Sequence, residues 1–298
     1  MACDTHCHFF SSRFLELLTQ GTEVSGDRAA AVSTKLGWDP PGTPDELADR
    51  WVAELDRHVV ARVALIASVP GDEASVRTAV VRHPTRFVGF FMFNPAAAGD
   101  ARSRLVPLFE GGHLRVVALF PAMHRYRLDD PVVETVFEVA ADAGAAVFVH
   151  CGMLTVGVRK RLGLPSSFDL RLGNPLGVAA VAARHPAVPV IIPHFGAGFF
   201  REALMAADQC ANILLDTSSS NSWMKYYPGL TLDGVFQQAL AVAGPERLLF
   251  GTDSSFFPRG WQKPVHDAQV AALAAVRATQ EARSRVMGGN FARLFPLS

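Results

Sequence analysis

The chain has 298 residues, 49% of them hydrophobic and 19% charged, which is enough apolar material for one large core covering 1–298 as a single domain. Lys plus Arg equals Asp plus Glu at 28 each, so the overall charge argues against nucleic-acid or anionic-membrane partners. No apolar run approaches the roughly 18 residues needed to cross a bilayer.

The first element is the run Ala2–His8, with no basic stretch and apolar segment of a secretory signal around it. Four cysteines (Cys3, Cys7, Cys151, Cys210) form no Cys-x-x-Cys pair and are too sparse for a disulfide framework, so a reducing cytoplasm is expected. About fifty residues then precede the next strand-like run, and within them Gly21 to Gly42 is rich in Gly, Ser, Thr and Pro. This interval is either a surface excursion or a lid over a binding site. Thr43-Pro44-Asp45-Glu46 reads as a capping box with proline at the first helical position, and Leu47, Trp51, Leu55 and Val59 give the helix a core face.

Short, near-continuously apolar runs follow at Ala61–Ala67, Phe87–Phe93, Val116–Phe120, Ala146–His150, Pro189–His194, Asn212–Asp216 and Leu248–Asp253. Such runs suggest parallel strands covered on both faces. Between them, Asp130-Pro131 and Asn174-Pro175 are cap-plus-proline helix starts. Eight strands alternating with helices predict a (β/α)₈ TIM barrel, α/β in class and somewhat distorted, with an insertion between strands 1 and 2.

The chemistry concentrates at the ends of these runs. In Asp4-Thr5-His6-Cys7-His8, residues two apart on a strand share a face, so His6 and His8 project together while Cys7 points away. His150 ends the fifth run, His194 the sixth and Asp253 the eighth. Each has a bland reading alone: a satisfied core histidine, or a helix-capping aspartate. Together they converge on the carboxyl end of the barrel, where such folds place their active sites. His58, His83 and His185 instead sit near helix C-termini, where a cation suits the dipole.

Imidazoles with a carboxylate suit one divalent metal, with Zn²⁺ expected first and Mn²⁺, Fe²⁺ or Co²⁺ as alternatives. His6, His8, His150 and Asp253 are the expected ligands. A metal held this way activates water near neutral pH. His194 is either a further ligand or the base, and its place beside a dication favours the base.

The order Asp-x-His-x-His, Phe-Val-His150, Pro-His194-Phe-Gly and Gly-Thr-Asp253 resembles the amidohydrolase superfamily over nearly the whole chain. Within it the sequence is similar to the amidohydrolase-related branch, which includes aminocarboxymuconate-semialdehyde decarboxylase, resorcylate decarboxylases and several hydrolases. Leu128-Asp129-Asp130-Pro131 and the stretch Gly288 to Phe295 add to the likeness. The resemblance implies a deformed TIM barrel, the same four ligands, His194 as base with Asp253 as its catalytic partner, and often a homodimer. One departure stands out: relatives often read Lys-x-His-Pro after the fourth strand, where this chain has Ala118-Leu119-Phe120-Pro121. Without a lysine there, the carboxylated-lysine bridge of binuclear members is not available.

His124, Trp223, Arg259 and Trp261 lie in loops after strands and are the expected contacts to a small-molecule substrate; Arg125, Arg127 and Tyr226 share those loops. Hydrolysis of an amide, cyclic amide or lactone is the first functional expectation. Non-oxidative decarboxylation of an unsaturated or aromatic acid is the alternative, and a non-catalytic ligand-binding barrel the third. No Gly-x-Ser-x-Gly elbow or P-loop is present, and Gly196-Ala197-Gly198 lacks the third glycine of a dinucleotide fingerprint.

Overall fold

A computed structural model describes residues 1–23 and 26–297. Eight parallel strands form one sheet in sequential order: β1 (Ala2–His8), β2 (Val60–Ala67), β3 (Phe87–Phe93), β4 (Leu114–Leu119), β5 (Ala146–Val149), β6 (Val190–Ile192), β7 (Ile213–Asp216) and β8 (Leu248–Leu249). With alternating helices outside, this is a (β/α)₈ TIM barrel. The last strand is only two residues long, so the seam with β1 closes through the chain beyond it. Thr5 N donates to Phe250 O at 2.8 Å, Asp253 N to His6 O at 2.9 Å and His8 N to Ser254 O at 2.7 Å.

The pleat divides the core into two layers. On β2, Ala64 and Ile66 face the barrel interior while Val63, Leu65 and Ala67 pack under the helices. On β5 the interior residue is Phe148, and Val147 and Val149 face outward. This two-residue alternation lets near-continuous apolar runs bury both faces. Phe291 and Phe295 from the C-terminal helical segment close the barrel floor, with the Phe295 carbonyl accepting from Arg62 Nη1 at 2.6 Å.

Three helices separate β1 from β2: α1 (Ser12–Leu18), α2 (Arg28–Leu36) and α3 (Pro44–Arg57). The expected capping box at Thr43 forms, with Thr43 Oγ1 accepting from Glu46 N and Glu46 Oε2 accepting from Thr43 N. Val24 and Ser25, inside the interval expected to be an excursion or lid, lie outside the described residues. The remainder is ordered around a third apolar cluster of Phe14, Leu15, Val32, Leu36, Trp38 and Val158.

The expected runs coincide with strands at β1 and β3, but four of the others extend past the ladder. The structure ends β5 before His150, β6 before Pro193, β8 before Phe250 and β4 before Phe120. The residues beyond are those that must leave strand geometry to aim side chains at the barrel mouth.

Candidate metal centre and its cavity

Strand parity places most of the chemistry. Cys7 packs in the outer layer, so His6 and His8 face inward; Phe148 faces the interior, and so does His150 two residues on. By the same rule Ile191 points inward on β6, which would send His194 toward the helices. The backbone corrects this: His194, Phe195 and Ala197 all adopt left-handed conformations with φ of 57°, 52° and 45°. That turn is costly for residues with a Cβ, and it brings the His194 ring to 4.8 Å from that of His6 and 5.3 Å from that of His150. Asp253 is likewise left-handed, with φ 61°.

His6 Nε2, His8 Nε2 and the Asp253 carboxylate converge. The two nitrogens are 3.3 Å apart, and Asp253 Oδ1 stands 3.1 Å from His8 and 3.7 Å from His6. The other nitrogen of each ring is committed elsewhere. His6 Nδ1 lies 2.6 Å from Asp216 Oδ2, a pure acceptor when ionised. His8 Nδ1 lies 2.7 Å from Ser68 Oγ, whose own hydrogen goes to the Ile66 carbonyl at 3.0 Å. Both rings therefore carry their proton on Nδ1 and turn a lone pair toward Asp253. Two lone pairs and a carboxylate this close repel one another unless a cation lies between them. Ligand atoms about 2.0–2.2 Å from one ion stand about 3–3.5 Å apart, so the spacing fits one divalent metal.

His150 sits beside this trio rather than within it. Its ring stacks on Phe120 at 5.2 Å, and its buried Nδ1 has no hydrogen-bond partner among the described residues. An orphaned buried imidazole nitrogen at the edge of a donor set suits a ligand role. His6, His8 and Asp253 form the compact donor group, and His150 flanks it.

Electrostatics follow from burial and neighbours. Burial pushes the Asp253 carboxyl up, but the His8 ring at 3.1 Å and the nearby His6 and His194 rings outweigh it and hold the group below the usual carboxylate range. Burial lowers His8, His150 and His194. For His6 burial also lowers, yet Asp216 overcomes it and the net shift is upward. His194 Nδ1 meets Ser218 Oγ at 2.8 Å, and the same hydroxyl lies 3.0 Å from His6 Nδ1.

A cavity of about 940 Å³ opens above the trio. Phe10, Trp38 and Phe256 form one wall: Trp38 stacks on Phe256 with centroids 4.3 Å apart and on Phe10 at 5.5 Å. The interval between β1 and β2 thus contributes to the binding surface through Trp38. His124, Trp223 and Arg259 line the cavity. His124 is lowered to about 4 by burial, so its ring is neutral. Arg259 Nη2 donates to Ser255 Oγ at 2.6 Å and to the Asp253 carbonyl at 3.2 Å, and its guanidinium lies 4.5 Å over the Phe256 ring.

Trp261 is a correction. It is not in the cavity wall but buried below it, 4% exposed, where its Nε1 donates to Asp4 Oδ2 at 2.8 Å. A buried indole N–H needs an acceptor, and Asp4 supplies one while also accepting from His6 N, Thr252 N and Thr252 Oγ1. Arg127 is outside the cavity too, paired with Asp129 at 2.7 Å. His58, His83 and His185 face Glu54, Asp49 and Glu134, away from the site.

Asp216, Ser68 and Ser218 were not singled out from sequence. Asp216 ends β7 as His150 follows β5, so the strand-end rule would have reached it; Ser68 directly follows β2. Ser218 carries no local signal. Gly251 makes room for this layer: a Cβ there would stand 2.7 Å from Asp216 Oδ1 and 3.0 Å from His6 Cβ.

Comparison with known proteins places the chain in a family. The family model for amidohydrolases matches residues 3–297. No curated protein matches the chain. Among solved structures, 5-carboxyvanillate decarboxylase from Sphingomonas paucimobilis is 17% identical with a TM-score of 0.67, covering 100% of this chain and 99% of that one. The 5-carboxyvanillate decarboxylase from Novosphingobium aromaticivorans, solved with manganese and 4-hydroxy-3-methoxy-5-nitrobenzoic acid, is 11% identical with a TM-score of 0.66 over 100% and 96% of the two chains. A 2,6-dihydroxybenzoate decarboxylase from Rhizobium is 14% identical with a TM-score of 0.63 over 99% and 98%. At these identities the likeness establishes the barrel, while the family match spans the strands and the donor residues alike. The chain belongs to the amidohydrolase family.

Proposed function

We propose that the chain is a divalent-metal-dependent carboxy-lyase, removing CO₂ without oxidation from an aromatic or unsaturated acid. The observation that carries this reading is Arg259, a cation without an ion-pair partner among the described residues, lining the cavity beside Asp253. A guanidinium there can clamp a substrate carboxylate through paired hydrogen bonds. The Phe10–Trp38–Phe256 wall suits a flat, unsaturated scaffold. The likeness to solved decarboxylases of aromatic acids supports the same choice over hydrolysis.

His6, His8 and Asp253, with His150 beside them, would hold the ion; zinc is the first assignment, and manganese gains weight from the manganese-bound relative. When bound, the metal supplies Lewis acidity toward substrate oxygens. Arg259 orients the reacting carboxylate, and the aromatic wall holds the ring and keeps water from its faces. Burial lowers His194, so its ring is neutral at rest and, once it has taken a proton from solvent, gives that proton up more readily than an ordinary imidazolium. As the carbon–carboxylate bond breaks, its electron pair stays on the ring carbon and takes the proton of His194. CO₂ departs and solvent restores the proton. Asp253 stays ionised and steadies the charged imidazole.

Hydrolysis of an amide or lactone is the second reading, favoured by the size of the cavity, which admits substrates larger than one ring. The test is reconstitution of chelator-stripped protein with zinc or manganese. CO₂ release is then followed on hydroxybenzoic and unsaturated acids, in parallel with amide and lactone cleavage. Metal-dependent CO₂ release is the expected result. Metal-dependent ring or amide cleavage without CO₂ from any acid would replace the lyase by the hydrolase, and inactivity throughout would leave a ligand-binding barrel. A cytoplasmic homodimer is the proposed working form, to be checked by light scattering; no helix of the described residues is long and apolar enough to cross a membrane.

A further inference from the structure

The protein is neutral overall, with 28 basic and 28 acidic residues, yet its cavity is not. Arg125, Arg159, Arg161, Lys225 and Arg259 line it against a single carboxylate, Asp253, which belongs to the donor trio. Elsewhere exposed arginines pair with acids, as Arg82 does with Asp49, Arg102 with Glu138 and Arg184 with Glu134. Among the described residues none of the five cavity cations has an ion-pair partner. Such a one-signed, recessed lining focuses potential and draws anions inward.

Arg259 stands at the metal end; a second group of cations stands at the rim. Arg125 Nη1 donates to the Ser167 carbonyl at 3.4 Å, while Arg159 donates from Nε and Nη2 to the Pro165 carbonyl at 3.1 and 2.5 Å. Two guanidiniums are thus anchored on one short segment, leaving Arg125 Nη2 and Arg159 Nη1 free among the described residues. Arg125 holds a left-handed backbone, φ 60°, an unfavourable conformation for a residue with a Cβ. Asp169, an acid that feels the charge of Arg125, is already taken by Arg171 in a two-pronged pair at 2.9 and 2.7 Å. Like charges gathered without a counterion are a cost to the free protein that a bound anion removes. The aromatic wall and the cavity volume of about 940 Å³ suit a small molecule rather than a polymer.

We propose that the substrate is a dianion: one acid group reacts beside Asp253 and Arg259, and a second, at the far end of the scaffold, is held at the rim by Arg125 and Arg159. This rests on the carboxy-lyase reading above for the fate of the first group, and it adds the identity of the second.

The test uses the metal-loaded protein and two matched pairs of probes: benzoate with isophthalate, and cinnamate with 4-carboxycinnamate. Binding is read by calorimetry and by quenching of the tryptophans that line the cavity. At least one dicarboxylate is expected to bind about tenfold tighter than its monoacid, two exposed arginine pairs contributing a few-fold each, with the advantage shrinking as salt rises. The double variant Arg125→Gln/Arg159→Gln should lose that advantage while binding the monoacids as before. Should the double variant fold poorly by circular dichroism, the single substitutions are each expected to lose about threefold for the dicarboxylate alone. Equal binding of monoacids and diacids by the wild type, or an advantage that survives both substitutions, overturns the proposal. A dianion preference that depends on these arginines, in a protein releasing CO₂ from no acid, would leave the rim site standing and remove the lyase. CO₂ release from monoacids with no gain from a second charge would do the reverse.

Discussion

His6 Nδ1 and Asp216 Oδ2 lie 2.6 Å apart across the barrel interior, both side chains buried. The contact fixes which nitrogen of His6 carries the proton and so turns a lone pair on Nε2 toward Asp253. A carboxylate behind a ligating imidazole raises its basicity and locks its orientation, and loss of such a partner typically costs about 10–100-fold in metal affinity. Asp216→Asn, which preserves shape but not charge, should weaken zinc or manganese binding by about that factor in a chelator competition. His6→Ala should abolish stoichiometric metal. Wild-type affinity in Asp216→Asn would mean that packing alone orients His6.

His194 offers a sharper division of roles. Its ring is near His6 and His150, yet its Nδ1 is occupied by Ser218 Oγ and it stands outside the donor trio. His194→Ala should retain metal by elemental analysis while turnover falls about 10²–10⁴-fold, the usual weight of one acid–base group. Loss of metal together with activity would make His194 a ligand.

How far the site could be read beforehand follows from the periodicities involved. His6 and His8 were legible because a strand puts alternate residues on one face, and His150 because it follows the inward-facing Phe148. His194 was legible as a strand-end residue, but its inward aim depends on left-handed backbone at His194, Phe195 and Ala197 that no apolar pattern announces. Trp261 went astray because proximity in sequence to Arg259 says nothing of depth; a buried hydrogen bond to Asp4, 257 residues away, decides its place. Ser218 is a case of the same kind: its hydroxyl matters only because β1 and β6 approach it from distant parts of the chain. Local pattern gives direction along an element, whereas long-range polar pairing does not leave a periodic trace.

Asp72 predicts a pH dependence of stability away from the metal. It is buried beside Ser11, whose Oγ donates to both carboxylate oxygens at 2.8 and 2.9 Å. Burial, opposed by the hydroxyl hydrogen bonds of Ser75 and Ser11, raises its pKa from 3.8 to about 6. The folded protein therefore keeps this proton to higher pH than the unfolded chain. The stabilising contribution is full below pH about 4 and is lost as pH rises through about 6, about 3 kcal/mol in all. Asp72→Asn should flatten the fall in urea-unfolding stability between pH 4 and 7. An unchanged slope would show that Asp72 titrates normally.

Trp38 tests the assignment of the insertion to the binding wall. Trp38 is 9% exposed, and its ring lies between Phe10 and Phe256, nearly parallel to both at interplanar angles of 11° and 12°. Trp38→Ala removes one face of the wall without touching His194 or the donor trio. Lost contact that is equal in the bound substrate and the transition state raises KM and leaves kcat in place. KM is expected to rise about tenfold, the worth of a partly buried aromatic contact, with kcat within about threefold of wild type. Trp38→Phe, which restores a flat ring, should recover most of the loss. A fall in kcat at unchanged KM would place Trp38 in support of the chemical step instead, acting through its stack on Phe10 and that of Phe10 on His8 at 5.4 Å. The ratio of the two constants in one pair of variants therefore separates a wall that grips substrate from one that props the metal ligands.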